Sequence, residues 1–342
     1  MHPVFLQKPR PRAGFFIAHK PHHRVACKPA PSFRVNSPPV PANNRLTNHG
    51  PPSMITTAKD FRASAAKRIL LFGMSGLGKT HLANQLRDAG GWFHYSVDYR
   101  IGTRYMGEFI ADNFKREAMK VPLLRDLLMT DSVYITSNIT FDNLAPLSTY
   151  LGKPGDPAKG GLPIDDYLHR QTQHRDAEIA ALLDTPRYID RARDLYGYPH
   201  FICDSGGSIC EVVNPNDPAD PVLTTLAANM LLIWIEGSDA HTAELIQRFD
   251  RAPKPMYYQP EFLHKSWADY LAQNDLHPDQ VDPDAFVRWT YARALAHRQP
   301  RYAAMAANWG ISVTAEEVRH VKSASDFETL IGLALDRRQT SR

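Results

Sequence analysis

The sequence predicts an α/β fold of the P-loop NTPase class: a five-stranded parallel sheet flanked by helices, with an inserted helical cap and a disordered N-terminal extension. Three observations carry this. An apolar run at residues 68–72 leads directly into a complete G-x-x-x-x-G-K-T loop at 73–80, and a helix-like stretch follows at 81–87. Four further short apolar runs, at 92–97, 199–204, 229–237 and 310–314, are separated by helical patterns, which is the spacing of parallel strands joined by crossovers. Composition changes sharply near residue 58.

The chain has 342 residues and a formal net charge of +4. Residues 1–58 hold eight Lys/Arg, no Asp or Glu and 11 of the 27 prolines, which leaves residues 59–342 at −4. Proline removes a backbone donor and breaks helices, so this head is expected to be a disordered, basic, Pro-rich extension. A targeting peptide and a polyanion-binding arm are the competing readings, and Met54 offers a second start. A globally basic nucleic-acid binder is not expected; nucleic-acid contact would be confined to the arm. Cys27, Cys203 and Cys210 form no C-x-x-C pair, which excludes a disulfide framework and a written zinc site and favours a reducing compartment. The longest clean apolar run of the body, at 230–235, has six residues, against about 20 for a membrane-spanning helix. The expectation is a cytoplasmic protein without a membrane partner.

Within the loop, Gly73, Gly76 and Gly78 let backbone N–H groups, that of Ser75 included, turn inward around phosphates, and the helix that follows adds the positive end of its dipole. Lys79 would bridge phosphate oxygens and Thr80 would hold Mg²⁺. The second strand ends at Asp98. A carboxylate at the C-terminal end of a neighbouring strand faces the crevice used by the loop, where it could take a proton from a substrate hydroxyl or hold a metal-bound water; a helix N-cap is the competing role. Arg100 and Arg104, four apart, share a face if a helix starts here and would suit an anionic substrate group. The third strand ends in Asp204, a Walker B-like acid expected to assist the metal. Ser205 follows it, where AAA+ hydrolases normally place Glu, and this argues for transfer over hydrolysis. Gly206 and Gly207 allow backbone to approach a ligand closely. Beyond the fourth strand, a helix at 241–249 carries Arg248 and closes on Arg251 and Lys254 in a Pro-broken segment, as a mobile cationic lid requires. Ser325 and Glu328 stand at capping-box spacing before the final helix.

Taken in order, these pieces resemble P-loop kinases of the shikimate and gluconate kinase type over residues 67–106 and 197–337. The loop, the Asp after the second strand, the Asp-Ser-Gly-Gly turn at 204–207 where shikimate kinases carry Gly-Gly-Gly, a lid of the form Arg-x-x-x-Pro and Arg298-x-Pro-x-Tyr302 all contribute. The resemblance implies ATP and Mg²⁺ as cofactors and a small-molecule acceptor phosphorylated on a hydroxyl. It puts Lys79 and Thr80 in the nucleotide site, Gly206 and Gly207 beside substrate, Lys254 or Arg251 in the lid and Arg298 on the acceptor. The family's Asp-x-Asp is here Ser96-Val97-Asp98, so one acid must serve as metal helper or base, and shikimate itself is not the expected acceptor.

Residues 107–196 form an insertion of 90 residues, expected to be helical over 107–120, 121–129, 141–151 and 164–195 around a breaker loop at 152–161. Such a cap implies a larger or unusual acceptor. His169 and His174, five apart, read as ordinary polar residues. The expected organisation is an extension at 1–58, a kinase core split between 59–106 and 197–342 with the lid at about 237–265, and the cap between. The leading expectation is an ATP- and Mg²⁺-dependent phosphotransferase acting on an anionic small molecule. Lys79, Asp98, Asp204 and Arg251 would be catalytic, Arg248 and Lys254 would hold the nucleotide, and Arg100, Arg104 and Arg298 would grip the acceptor. The competing expectations are a P-loop ATPase or nucleotide-dependent regulator, suggested by the initiator-like Gly-Lys-Thr-His-Leu run, and a kinase acting on nucleic acid or a nucleotide-sugar.

Overall fold

A computed structural model describes residues 57–340. The basic Pro-rich head, with the roles expected of it, lies outside the described residues. Only its last two positions are described: Thr57 caps a short helix, Ala58–Ala63, accepting a hydrogen bond from the Asp60 N–H at 3.0 Å.

Five strands form one parallel sheet: β1 (Arg68–Phe72), β2 (Trp92–Ser96), β3 (His200–Asp204), β4 (Leu231–Glu236) and β5 (Gly310–Thr314), in the spatial order β2-β3-β1-β4-β5. β1 is central and its residues Ile69 to Phe72 are buried, which explains its unbroken apolar text: helices cover both faces of a parallel sheet. The edge strand β5 alternates instead, burying Ile311 and Val313 and exposing Ser312 and Thr314. The C-terminal ends of β1, β2 and β3 are adjacent, with Leu71 opposite Asp204 and Ser96 opposite Asp204.

The inserted segment between β2 and β3 holds helices Gly107–Ala118, Pro122–Met129, Ala145–Leu151, Ile164–Leu183 and Thr185–Asp194. Its buried residues, among them Ile110, Leu147 and Tyr167, belong to the same apolar cluster as the sheet. Two expectations need correction here. The run at 164–195 is two helices, because Pro186 has no N–H for the Leu182 carbonyl; the Thr185 hydroxyl takes that carbonyl at 2.8 Å. The third inserted helix starts at Ala145, not 141, after a turn in which the Asn143 side chain accepts from the Ala145 N–H at 3.2 Å.

Further helices run over Asp239–Arg251, Pro260–Asn274 and Pro283–Trp309. The last has 27 residues and contains Pro300, so Arg298 and Tyr302 lie inside a long helix, not before one. The final helix is Ala324–Thr340, and its cap is Ser323, whose hydroxyl accepts from the Asp326 N–H at 3.1 Å. Ser325 therefore lies inside the helix, and Glu328 pairs with Lys67 at 3.2 Å. Among the described residues, no helix is long and apolar enough to cross a membrane.

Candidate active site

The loop after β1 is shaped by glycines in left-handed backbone, with φ of +136° at Gly73 and +88° at Gly76. A Cβ at Gly73 would stand 2.6 Å from the Ile235 carbonyl oxygen, and one at Gly76 would stand 2.6 Å from a guanidinium nitrogen of Arg248. The chain can therefore close the turn against β4, and bring Arg248 over the loop, only without side chains there. Lys79 opens the next helix, Lys79–Asp88, and its buried Nζ donates to the carbonyls of Gly73 (2.9 Å) and Met74 (3.0 Å). Burial lowers its pKa against the opposing pull of Asp204 and Asp98. Thr80 donates to Asp204 Oδ2 at 2.5 Å, which joins the loop to the end of β3. Burial raises the Asp204 carboxyl, with Lys79 and Thr80 opposing. The Ser205 hydroxyl donates to the Leu71 carbonyl at 2.8 Å, so it is spent on the backbone.

Asp98 lies in the first turn after β2. The capping role belongs to Ser96, whose hydroxyl accepts from the Tyr99 N–H at 3.3 Å, and this leaves the Asp98 carboxylate free of that duty. It presses on Gly206, where a Cβ would collide with Oδ1 and sit 3.3 Å from Cγ. Burial first, then repulsion from Asp204, raises Asp98 to about 6, with Lys79 opposing.

Asp98 and Ser75 line one cavity of about 450 Å³, together with Gly207, Arg248, Lys254 and Arg298. The inserted helices contribute Leu144, Leu147, Leu151 and His174, and the segment after the lid helix contributes Met256 and Tyr257. Arg248 and Lys254 are exposed at its edge.

The other expected residues are placed differently. Arg100 donates through Nε (2.9 Å) and Nη2 (2.7 Å) to Asp184 and lies over the Tyr188 ring at 4.9 Å; it does not line the cavity. Arg104 is exposed and also outside it. Between them, residues Ile101–Tyr105 form a π-helical turn, closed by the Met106 N–H on the Ile101 carbonyl at 2.8 Å, and the pair is separated because Asp184 holds Arg100 while Arg104 is exposed. Arg251 is exposed and does not line the cavity. Arg298 does, but it is buried and largely committed: it donates to Glu211 at 2.6 Å, to the Gly207 carbonyl at 3.1 Å and to the Tyr257 carbonyl at 2.7 Å.

Several residues enter the site without notice from sequence patterns. Glu178 is fully buried and accepts from the Ser208 hydroxyl on both oxygens, at 2.9 and 2.7 Å. Burial raises it to about 8. His174 Nδ1 lies 3.8 Å from Glu178, and its ring stacks on Tyr257 with centroids 5.1 Å apart. Glu211 is buried beneath Arg298. His169, by contrast, is exposed and lines a separate surface groove.

In comparisons with known proteins, no protein-family model matches the chain and no curated protein matches its sequence. Among solved structures, shikimate kinase from Bacteroides thetaiotaomicron is similar at 14% identity, covering 80% of this chain and 97% of that chain, with a TM-score of 0.32.

The donor set fits a magnesium-nucleotide complex: a glycine cradle, a buried ammonium, and a Thr–Asp pair of hard oxygen ligands. A helical period of four would have flagged His174 with Glu178 as a same-face pair, the signal hidden by pairing His174 with His169.

Proposed function

We propose that the chain is an ATP- and Mg²⁺-dependent phosphotransferase that acts on a hydroxyl of a small molecule. The observation that carries this reading is the presence of Asp98, raised to about 6, in the same cavity as Ser75 of the loop. A general base with a pKa near the working pH is the most effective kind. Thr80 and Asp204 would hold the metal, which when bound neutralises charge on the phosphate oxygens. Backbone N–H groups of residues 75–79 and the Lys79 ammonium would hold the β- and γ-phosphates, and Arg248 and Lys254 would neutralise the transferring group from the open side. Asp98 would accept the proton of the acceptor hydroxyl as that oxygen bonds to the terminal phosphorus and the bond to the ADP oxygen breaks. The spent hydroxyl of Ser205 supports transfer over hydrolysis, because it leaves no side chain there to activate water.

The anionic acceptor expected from Arg100, Arg104 and Arg298 has lost its carriers, since the first two lie outside the cavity and the third is paired with Glu211. The test is incubation of the full chain with Mg²⁺, γ-labelled ATP and a metabolite extract. Label passing to a new product, only with extract and not with Lys79→Ala, is the expected result. Rapid phosphate release that is unchanged by extract would replace this reading with an ATPase.

A further inference from the structure

The cavity has walls of two chemistries. Near the loop it carries cations, Arg248 and Lys254. Its other polar wall is a connected chain of side chains: Tyr257 stacked on His174, His174 beside Glu178, and Glu178 bonded to Ser208. His174 Nδ1 and the Tyr257 hydroxyl are buried without a hydrogen-bond partner, in residues only 6% and 4% exposed. Both residues line the cavity. A buried polar atom left unpaired is costly, and one in a residue that lines a cavity gains its partner when a ligand group reaches it.

Few charges face this chain. Arg298 is the buried cation within reach, and Glu211 neutralises it at 2.6 Å; Arg175 is exposed. Burial, with Arg298 adding to it, lowers His174 to about 4. Burial raises Glu178 to about 8, with Asp98 and Glu211 raising it further against Ser208 and Arg298. Arg175 and Glu178 act in opposite senses on Tyr257. At neutral pH the polar wall is therefore uncharged, and Leu144, Leu147, Leu151 and Met256 beside it are apolar.

We propose that Tyr257, His174 and Ser208 recognise the acceptor, with Glu178 behind them positioning Ser208, and that the acceptor is an uncharged molecule with an apolar body and a hydroxyl or amide group that pairs with His174 and Tyr257. This rests on the phosphotransferase reading and gives it a substrate class. An anionic acceptor would meet no free cation at this wall and would lose its hydration without repayment.

The experiment passes the metabolite extract over an anion exchanger and then a cation exchanger, and offers the final flow-through and the retained material to the full chain with γ-labelled ATP. Greater label incorporation from the unretained, uncharged fraction is expected. Greater incorporation from the retained fraction overturns the acceptor class and leaves the phosphotransferase standing. No incorporation from either overturns the phosphotransferase and this inference with it. In the active fraction, His174→Phe keeps the ring on Tyr257 and removes the nitrogen, so the apparent KM, read by dilution, should rise about tenfold with kcat within about twofold. An apparent KM within about twofold of the parent in His174→Phe would overturn the assignment of this wall to the acceptor. The fractionation itself needs no variant, so it decides even where one fails to fold.

Discussion

The nucleotide end and the acceptor end of the cavity are built on different principles. At the nucleotide end, eight consecutive residues, 73–80, fold around their own backbone, and the helix that begins with Lys79 continues them. Most of the chemistry there belongs to peptide groups, which every residue owns. At the acceptor end, Asp98, His174, Glu178, Ser208, Tyr257 and Arg298 come from segments up to 200 residues apart and meet through side chains. A backbone-made site tolerates changes of side chain, its Lys79 and Thr80 apart, but not of glycine geometry. A side-chain-made site is held by each ion pair and stack that positions it.

The largest expected effect sharpens this contrast at the nucleotide end. Lys79→Ala should reduce turnover by at least about a thousandfold, while far-UV circular dichroism stays unchanged, because the substitution lies in the first turn of a helix that alanine continues. A variant within tenfold of the parent would break the reading. At the acceptor end, Arg298→Ala should act on stability as well as on activity. Burial pushes Glu211 upward and Arg298, with His297, overrides this and holds it below its ordinary value. Removing the arginine strands a buried carboxylate, at a cost of about 3–5 kcal/mol in urea unfolding.

Asp98→Asn should lower kcat about a hundredfold and raise stability by about 3 kcal/mol at pH 7. The sign follows from an acid whose folded pKa, about 6, lies above its unfolded value of 3.8. The folded chain then binds the extra proton between those values, so the cost of the charged form is absent below pH 3.8, accumulates through this window and is complete above about 6. Melting curves of parent and variant should therefore converge in acid, and the parent's rate should rise with pH through about 6. The smallest effect belongs to Arg100→Ala. It should cost about 1–2 kcal/mol through the lost Asp184 pair and leave the apparent KM within about twofold; a large KM change would return Arg100 to the acceptor site.

All five strands were legible in the sequence: β1 and β4, buried along most of their length, leave unbroken apolar runs, and the edge strand β5 leaves an alternating one. The loop was legible because its glycines are required by the turn itself. The failures have local causes. Arg100 is drawn to Asp184 in the inserted segment, and its spacing from Arg104 does not mark that partner. At the final helix, Ser323 with Asp326 and Ser325 with Glu328 are overlapping S-x-x-D/E patterns; the earlier one caps, because the Ser323 carbonyl also receives the Phe327 N–H at 3.1 Å and Glu328 is drawn to Lys67. The acceptor wall was illegible for a different reason. His174 and Glu178 are polar residues within a helical run, and only the fold turns them inward against Ser208 and Tyr257.

Gly206 and Asp98 occupy one space between them, since a methyl at 206 would fall on the Asp98 carboxylate. The two positions are therefore epistatic: a side chain at 206 must move the Asp98 carboxylate from the place it holds here, so a larger residue at 206 is expected in descendants only together with a change at 98.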